Sequence, residues 1–499
     1  MTSAAAAATA APSYPDAKTL LDSIAQLDKS DPGSPGALEG RLEYVDLILS
    51  TATGEDCQQR LDDAQSQLDT VAADPSFEVL VPAALARAAD VEYRIHTARA
   101  DCGSDPAKRT SELHEALAAA QRAVGLYRDA LDYQSMAVMQ FSIAATQRLL
   151  GNDAAAVAEL RAALEMDREY GFREDAEGNY ALLAQWTGKA GEADALKDFP
   201  RRTAILKFAW SIRNAQVAVD VNHARVFEGS VLRYRGHTSF KRTYREGHFG
   251  SWQVAQEPGP VSFDFADWPQ DPGVLHELAP VLERALAEFP DIDVNKQGEF
   301  TRARDTDRLG ERLTRETDAL LTQHAPTQPH PSRLQSTLAH DRHLVFNSEA
   351  IQERAAERHG FETEAWVGAT LEQGVWYEMS APLAVPGALP ISLAQDVEFA
   401  FTHPVPCKAD SPDRACVELV VRATPQADAV SDLVEAMDAH YKVKAHYWSS
   451  TYMRIVTDPN TLMIHVRDVR QFWHTSFDGV AGPDAIQNES QRLVATSEY

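Results

Sequence analysis

Cysteine is scarce in this chain, with four residues in 499. No CxxC pair occurs among them and no histidine stands at finger spacing, which speaks against a structural zinc module. Long apolar runs are lacking too; none approaches the roughly 20 residues that a membrane helix needs. Positive charge is in deficit. The 47 Lys+Arg face 74 Asp+Glu, a net charge of −27, which works against non-specific binding to nucleic acid or an anionic membrane. GxSxG, HExxH, P-loop and GxGxxG signatures are missing, so no reaction class announces itself and no cofactor is expected.

What is there is the composition of a folded protein, 44% hydrophobic and 24% charged. A chain of this length is long for one core and implies two to four domains. The charge is uneven: residues 1–200 carry 17 Lys+Arg against 33 Asp+Glu (net −16), residues 201–246 carry 10 against 3 (net +7), and the rest 20 against 38 (net −18). The sign change coincides with a change in hydrophobic period, so residues 15–199 and 200–499 are read as separate domains, with a sub-boundary near 325–345.

Two cysteines, Cys407 and Cys416, flank Asp410-Ser411-Pro412-Asp413, where Pro412 presets φ for a tight turn. Cys57 stands near the start of a helix ("GEDCQQRLDDAQ") and Cys102 just after the end of another ("HTARADCGSD"). Two helices running up and back bring such positions together. Disulfides Cys57–Cys102 and Cys407–Cys416 are therefore expected, and with them an oxidising compartment; unpaired buried thiols are the rival reading. The opening "MTSAAAAATAAPSYPDAK" has no basic start and no apolar core, so it is not an intact secretory signal. Stretches of this kind are common just after a cleaved signal or a lipid-anchored cysteine. Residues 1–14 are expected to be a disordered tail and the location to be periplasmic or otherwise exported, with cytoplasmic as the alternative.

From Pro15 to about Phe199 apolar residues recur at three and four positions, broken at "SDPGSPG", "TATGED", "AADPSF", "CGSDPAKRT" and "LLGND". Helix follows helix. In Ser135–Phe172 small alanines stand where helices approach and large residues fill the gaps. Leu149, Gly151, Ala155, Leu160, Ala163 and Leu164 occupy helix-packing positions, and "HEALAAAQRAVGLYRDALDY" matches "DAAAVAELRAALEMDREYGF" at an offset of 39. This resembles a tetratricopeptide repeat, whose usual period is 34. The resemblance implies an all-α helical-repeat domain with a groove, formed by the first helix of each pair, that binds a protein or peptide. The family's Asn and Lys carboxylate clamp is not recognisable here.

After residue 200 the period changes. "ARVFEGSVLRYRGHTSFKRTYREGHFGSWQVAQ" alternates apolar and polar residues, as a strand meander with one wet face does. Helices are predicted at "DPGVLHELAPVLERALAEF", "DTDRLGERLTRETDALLTQH" and "ADAVSDLVEAMDAHY". Strands are predicted at "ATLEQGVWYEMS", "DVEFAFTH" and "CVELVVRAT", and a long hairpin at "HYWSSTYMRIVTDPNTLMIHVRDVRQFWHTSF", turning at Thr457-Asp458-Pro459-Asn460. An α+β domain with a curved antiparallel sheet is expected. The "VTDPNTL" hairpin is similar to those of periplasmic lipoprotein-carrier half-barrels, which implies a carrier of an apolar ligand.

Candidate site residues are few. Asp291, Asp293 and Asn295 stand at the first, third and fifth positions of an EF-hand-like loop. Lys296 replaces its glycine and Arg302 its bidentate glutamate, so no tightly held Ca²⁺ is expected. His340 and His343 lie three apart without a third ligand. The basic stretch is the better lead: Arg233, Arg235, Lys241, Arg242 and Arg245 alternate with aromatic residues and could meet phosphate, carboxylate or a polyanion. The resulting reading is a non-enzymatic binding or adaptor protein of the cell envelope. Its expected partner is a protein or peptide carrying Lys or Arg, engaged through the helical groove. A hydrolase-type enzyme with its site in residues 200–499, or the apolar carrier, are the alternatives.

Overall fold

The computed structural model describes residues 17–30, 34–51, 57–74, 82–103, 105–188, 204–211, 214–228, 232–266, 288–324, 346–384, 392–408, 411–441, 444–477 and 486–498. The expected tail, the sub-boundary near 325–345, His340 and His343, and nearly all of the helix expected from Asp271 lie outside them. The chain forms two compact units. The first comprises Met1–Thr203 with Val443–His446 and Ser476–Val480, and the second Ala204–Lys442 with Tyr447–Thr475 and Ala481–Tyr499.

Among the described residues, eight helices build the first unit: α1 (Ala17–Ser30), α2 (Pro35–Thr51), α3 (Cys57–Ala73), α4 (Pro82–Cys102), α5 (Pro106–Asp129), α6 (Tyr133–Leu149), α7 (Asp153–Tyr170) and α8 (Arg173–Thr187). Local chemistry sets their ends. Asp105 accepts a hydrogen bond from the Ala107 amide at 2.9 Å, with Pro106 just inside α5. Gly171 and Gly188 close α7 and α8 in the left-handed conformation, at φ of 84° and 69°. Each helix packs on its successor, and α2 also packs on α4. Close approach is carried by alanine: Ala116, Ala119, Ala120 and Ala123 on α5, and Ala156 and Ala163 on α7, are fully buried. Leu42, Val45, Leu68, Val91 and Ile95 fill the core between α2, α3 and α4. Asp46 on α2 takes ion pairs from both Arg87, at 2.7 Å, and Arg94 of α4.

In the second unit eleven of the described strands form one sheet, in the order β6-β5-β4-β3-β2-β13-β12-β11-β10-β9-β8. Its first half is a meander of β2 (Ala215–Glu228), β3 (Leu232–Glu246), β4 (Trp252–Ala266), β5 (Ile292–Val294) and β6 (Phe300–Ala303). Its second half is a meander of β8 (Trp376–Ala384), β9 (Ser392–Lys408), β10 (Ser411–Pro425), β11 (Ala445–Thr457), β12 (Ile464–Phe477) and β13 (Ile486–Glu498). The halves join where β13 runs antiparallel to β2, from Asn488 opposite Glu228 to Glu498 opposite Ala218. A short pair, β1 (Ile205–Lys207) with β7 (Thr370–Glu372), lies outside this sheet. The unit also holds helices α9 (Thr306–His324), α10 (Ser348–Glu362) and α11 (Ala427–Tyr441).

Sequence alternation dictates which face is buried. Along β9, Leu393, Gln395, Val397 and Phe399 are buried while Ala394, Asp396 and Glu398 are exposed. Val397, Phe399 and Phe401 join Leu419 and Val421 of β10 and Ile455 of β11 in one core, covered by Phe208, Trp366 and Leu371. A second core gathers Val217, Val219, Phe240, Val254, Ile292 and Phe289.

Both expected cysteine pairs are disulfides, Cys57–Cys102 and Cys407–Cys416. Loop-closure entropy assigns roughly 4 kcal/mol to the longer loop and roughly 3 kcal/mol to the shorter one. In denaturant unfolding followed by circular dichroism, Cys57→Ser with Cys102→Ser is therefore expected to lower stability more than Cys407→Ser with Cys416→Ser. The reverse order would contradict the loop-length argument.

Candidate functional site

Alternation divides the basic stretch of β3. Arg242 shares a side of the strand with Phe240 and Tyr244 and lines a cavity, whereas Arg235, Lys241 and Arg245 are exposed. The side chain of Arg233 lies outside the described residues. The cavity has a volume of about 50 Å³. A bound water needs about 10–15 Å³ measured this way, so the space suits a few waters or one small polar group with a short body.

Three elements supply its charged wall. Arg242 comes from β3, Arg467 from β12, and Arg358 and Glu362 from α10. On that helix Ile351, Ala355, Arg358 and Glu362 follow the spacing of one face, which places the last two inward where an apolar residue would be the rule. Glu362 Oε1 pairs with Arg467 Nη1 at 2.6 Å and accepts a hydrogen bond from Arg358 Nε at 3.0 Å. Burial alone would raise this carboxyl above its ordinary value, but Arg467, Arg358 and Arg242 outweigh that effect and hold it at about 2. The Phe289 ring carries two guanidiniums, with Arg242 Cζ at 5.1 Å and Arg358 Cζ at 5.4 Å from its centroid.

The aromatic wall is set by backbone hydrogen bonds. Just after β1, the Phe208 amide donates to Ala369 O at 2.9 Å and the Ala209 amide to Pro459 O at 2.9 Å, while Ser211 Oγ donates to Asn460 O at 2.6 Å. This chain of contacts holds Trp210 in the cavity wall, edge-on to Tyr244 and His359. Gly298 lets it close. At φ +84°, a Cβ there would stand 2.6 Å from the Trp210 ring. The Gly298 carbonyl accepts from His359 Nε2 at 2.7 Å. Burial pushes the His359 imidazole down, against the raising effect of the Gly298 carbonyl. Leu462, another lining residue, sits at φ 57°, a backbone state that costs of order 1–3 kcal/mol when a side chain is present.

Arg467 Nε and Trp210 Nε1 are buried with no hydrogen-bond partner among the described residues. Three guanidiniums stand against the one carboxylate of Glu362 in the lining, which favours a guest that accepts hydrogen bonds and carries negative charge.

The EF-hand-like residues are each occupied within the protein. Asp293 accepts from Arg302 and Arg304, both at 2.7 Å; Asn295 Oδ1 accepts from the amides of Gln297 and Glu299; and Asp291 Oδ1 accepts from the Gln256 amide. Elsewhere in the sheet Glu418, buried in β10, pairs with Arg454 and accepts from Thr402 Oγ1 at 3.0 Å. Trp210, Arg358, His359, Glu362 and Arg467 were not singled out by the sequence reading. The signal for two of them is the charged pair set on the inward stripe of α10.

No family model matches this chain, and no curated protein matches it. Among solved structures, one titled "Lipid-protein interactions in lipovitellin" is similar at 10% identity over 60% of this chain, with a TM-score of 0.26. This chain covers 25% of that structure's length. A likeness of that grade carries no argument about this chain.

A titration follows from Glu362. Its folded value lies below its unfolded one, so its contribution is present above about pH 4.5 and is lost as pH falls toward 2. The linked stability is on the order of 3 kcal/mol. Unfolding followed through tryptophan fluorescence is expected to show this loss in the native chain. In Glu362→Gln the protein is expected to be less stable at neutral pH, with a flatter profile between pH 4.5 and 2; an unchanged profile would refute the assignment.

Proposed function

We propose that the protein is a non-enzymatic binding protein whose second unit holds an anionic group in the arginine-lined cavity. The observation that carries this reading is the convergence of Arg242, Arg358 and Arg467 from three elements on one small space. Guanidinium forks match carboxylate and phosphate oxygens in charge and geometry. The volume is too small for an acyl chain of lipid length, which weighs against carriage of a large apolar ligand there. Two disulfides support an oxidising, envelope-type location. No described helix is long and apolar enough to cross a membrane.

Calorimetry with small anions tests the proposal. Acetate or phosphate is expected to bind the full-length chain, and Arg242→Met to weaken binding at least tenfold, as the loss of one charge-assisted contact implies. Absence of binding by every anion tried would end this reading.

A second reading assigns the first unit to a protein or peptide partner. Val138 and Leu149, three turns apart on one face of α6, are exposed at 45% and 47%. Successive helix packing supports a tetratricopeptide-type array, and the acidic charge of residues 1–200 favours a basic partner. A Lys-rich peptide is expected to bind the full-length chain with an affinity that falls as salt rises, and to bind Val138→Ser with Leu149→Ser more weakly. Binding indifferent to both salt and substitution would count against the array as the docking face.

A further inference from the structure

We infer that the cavity's ligand is a small carboxylate with a short apolar body, rather than a fully polar oxyanion; the inference rests on the anion-binding reading above and narrows it. The lining is mixed. Arg242, Arg358 and Arg467 supply N–H donors, whereas Val217, Val219, Val254 and Ile292, with Leu462 and Ile464, supply only hydrocarbon, and Val217 stands directly opposite Arg242 in the pairing of β2 with β3. Val217, Val254 and Ile292 are at most 3% exposed, so that wall is dry and tightly held. A phosphate or sulfate ion has oxygens on every side. Some would press against hydrocarbon and lose their hydration without compensation. A carboxylate has its oxygens at one end and carbon at the other, which suits a wall that sets hydrocarbon beside guanidinium.

The protein already binds one carboxylate in this way. Glu362, on the last turn of α10, meets Arg467 and Arg358 through a single oxygen and is itself a lining residue. An arginine has five N–H groups, so neither guanidinium is exhausted by that pairing. An alcohol or amine guest would bring a donor of its own to a wall made of donors. Neutral isosteres are therefore disfavoured along with inorganic oxyanions.

Isothermal titration of the full-length native chain with a panel of probes decides the matter. Acetate, propionate and butyrate are expected to bind with affinity rising roughly fourfold per methylene, from the burial of each CH₂ against the apolar wall. Octanoate is expected to bind no more tightly than butyrate, because the space closes. Phosphate and sulfate are expected to bind at least tenfold more weakly than butyrate, and n-butanol not to compete. Phosphate or sulfate binding as tightly as butyrate would overturn the carboxylate inference while leaving the anion-binding reading in place. So would affinity still climbing at octanoate. Butanol competing as well as butyrate, or no probe binding at all, would overturn both. Arg467→Lys, which keeps the charge opposite Glu362 but lacks the planar guanidinium fork, is expected to weaken butyrate binding about tenfold. Should that variant fail to fold, Ile292→Val serves instead, and it is expected to lower butyrate affinity more than acetate affinity. Equal loss for the two acids would count against the apolar half of the inference.

Discussion

The pairing of β13 with β2 is the constraint on which the second unit depends. Neither meander is sealed at its inner side without it, since β2 would present a bare row of amides and carbonyls along its length. The cavity draws on both meanders. Arg242 belongs to one and Arg467 to the other, with α10 coming from the stretch of chain between them. Charges this close repel in a water-poor setting, and the fold tolerates them because Glu362 stands among them.

Much of the architecture was legible because it depends on period. The helical texture before residue 200, the β2–β3–β4 meander, α9, α11 and the β11–β12 hairpin all follow from spacing of apolar residues and from turn chemistry such as Asp458-Pro459-Asn460. Strand β13 was not legible. "IQNESQRLVATSE" is mostly polar and has little apolar alternation, and its identity as a strand comes from a partner far away in sequence. Helix α10 was passed over for a related reason: charged residues on its inner stripe mask the apolar pattern that would have marked it.

The site was legible only in part, and the reason is topological. Five basic residues in β3 pointed to anion chemistry, yet a strand turns successive side chains to opposite faces, and Arg242 alone of those described lines the cavity. Its neighbours in space, Arg358, Glu362 and Arg467, stand more than a hundred positions further along the chain. Trp210 depends on backbone contacts with the distant segments at Ala369 and Pro459. A run of sequence carries no record of such meetings.

Each disulfide joins cysteines that are consecutive along the chain, Cys57 with Cys102 and Cys407 with Cys416, and each closes within a single unit. Of the three connectivities open to four cysteines, this is the one that a thiol oxidase acting on an emerging polypeptide makes unaided. When Cys102 arrives, Cys57 is the nearest thiol before it, and the first bond is closed long before Cys407 appears. The native pattern can therefore form without an isomerase to reshuffle it, and reduction of one bond leaves the other unit's covalent frame intact.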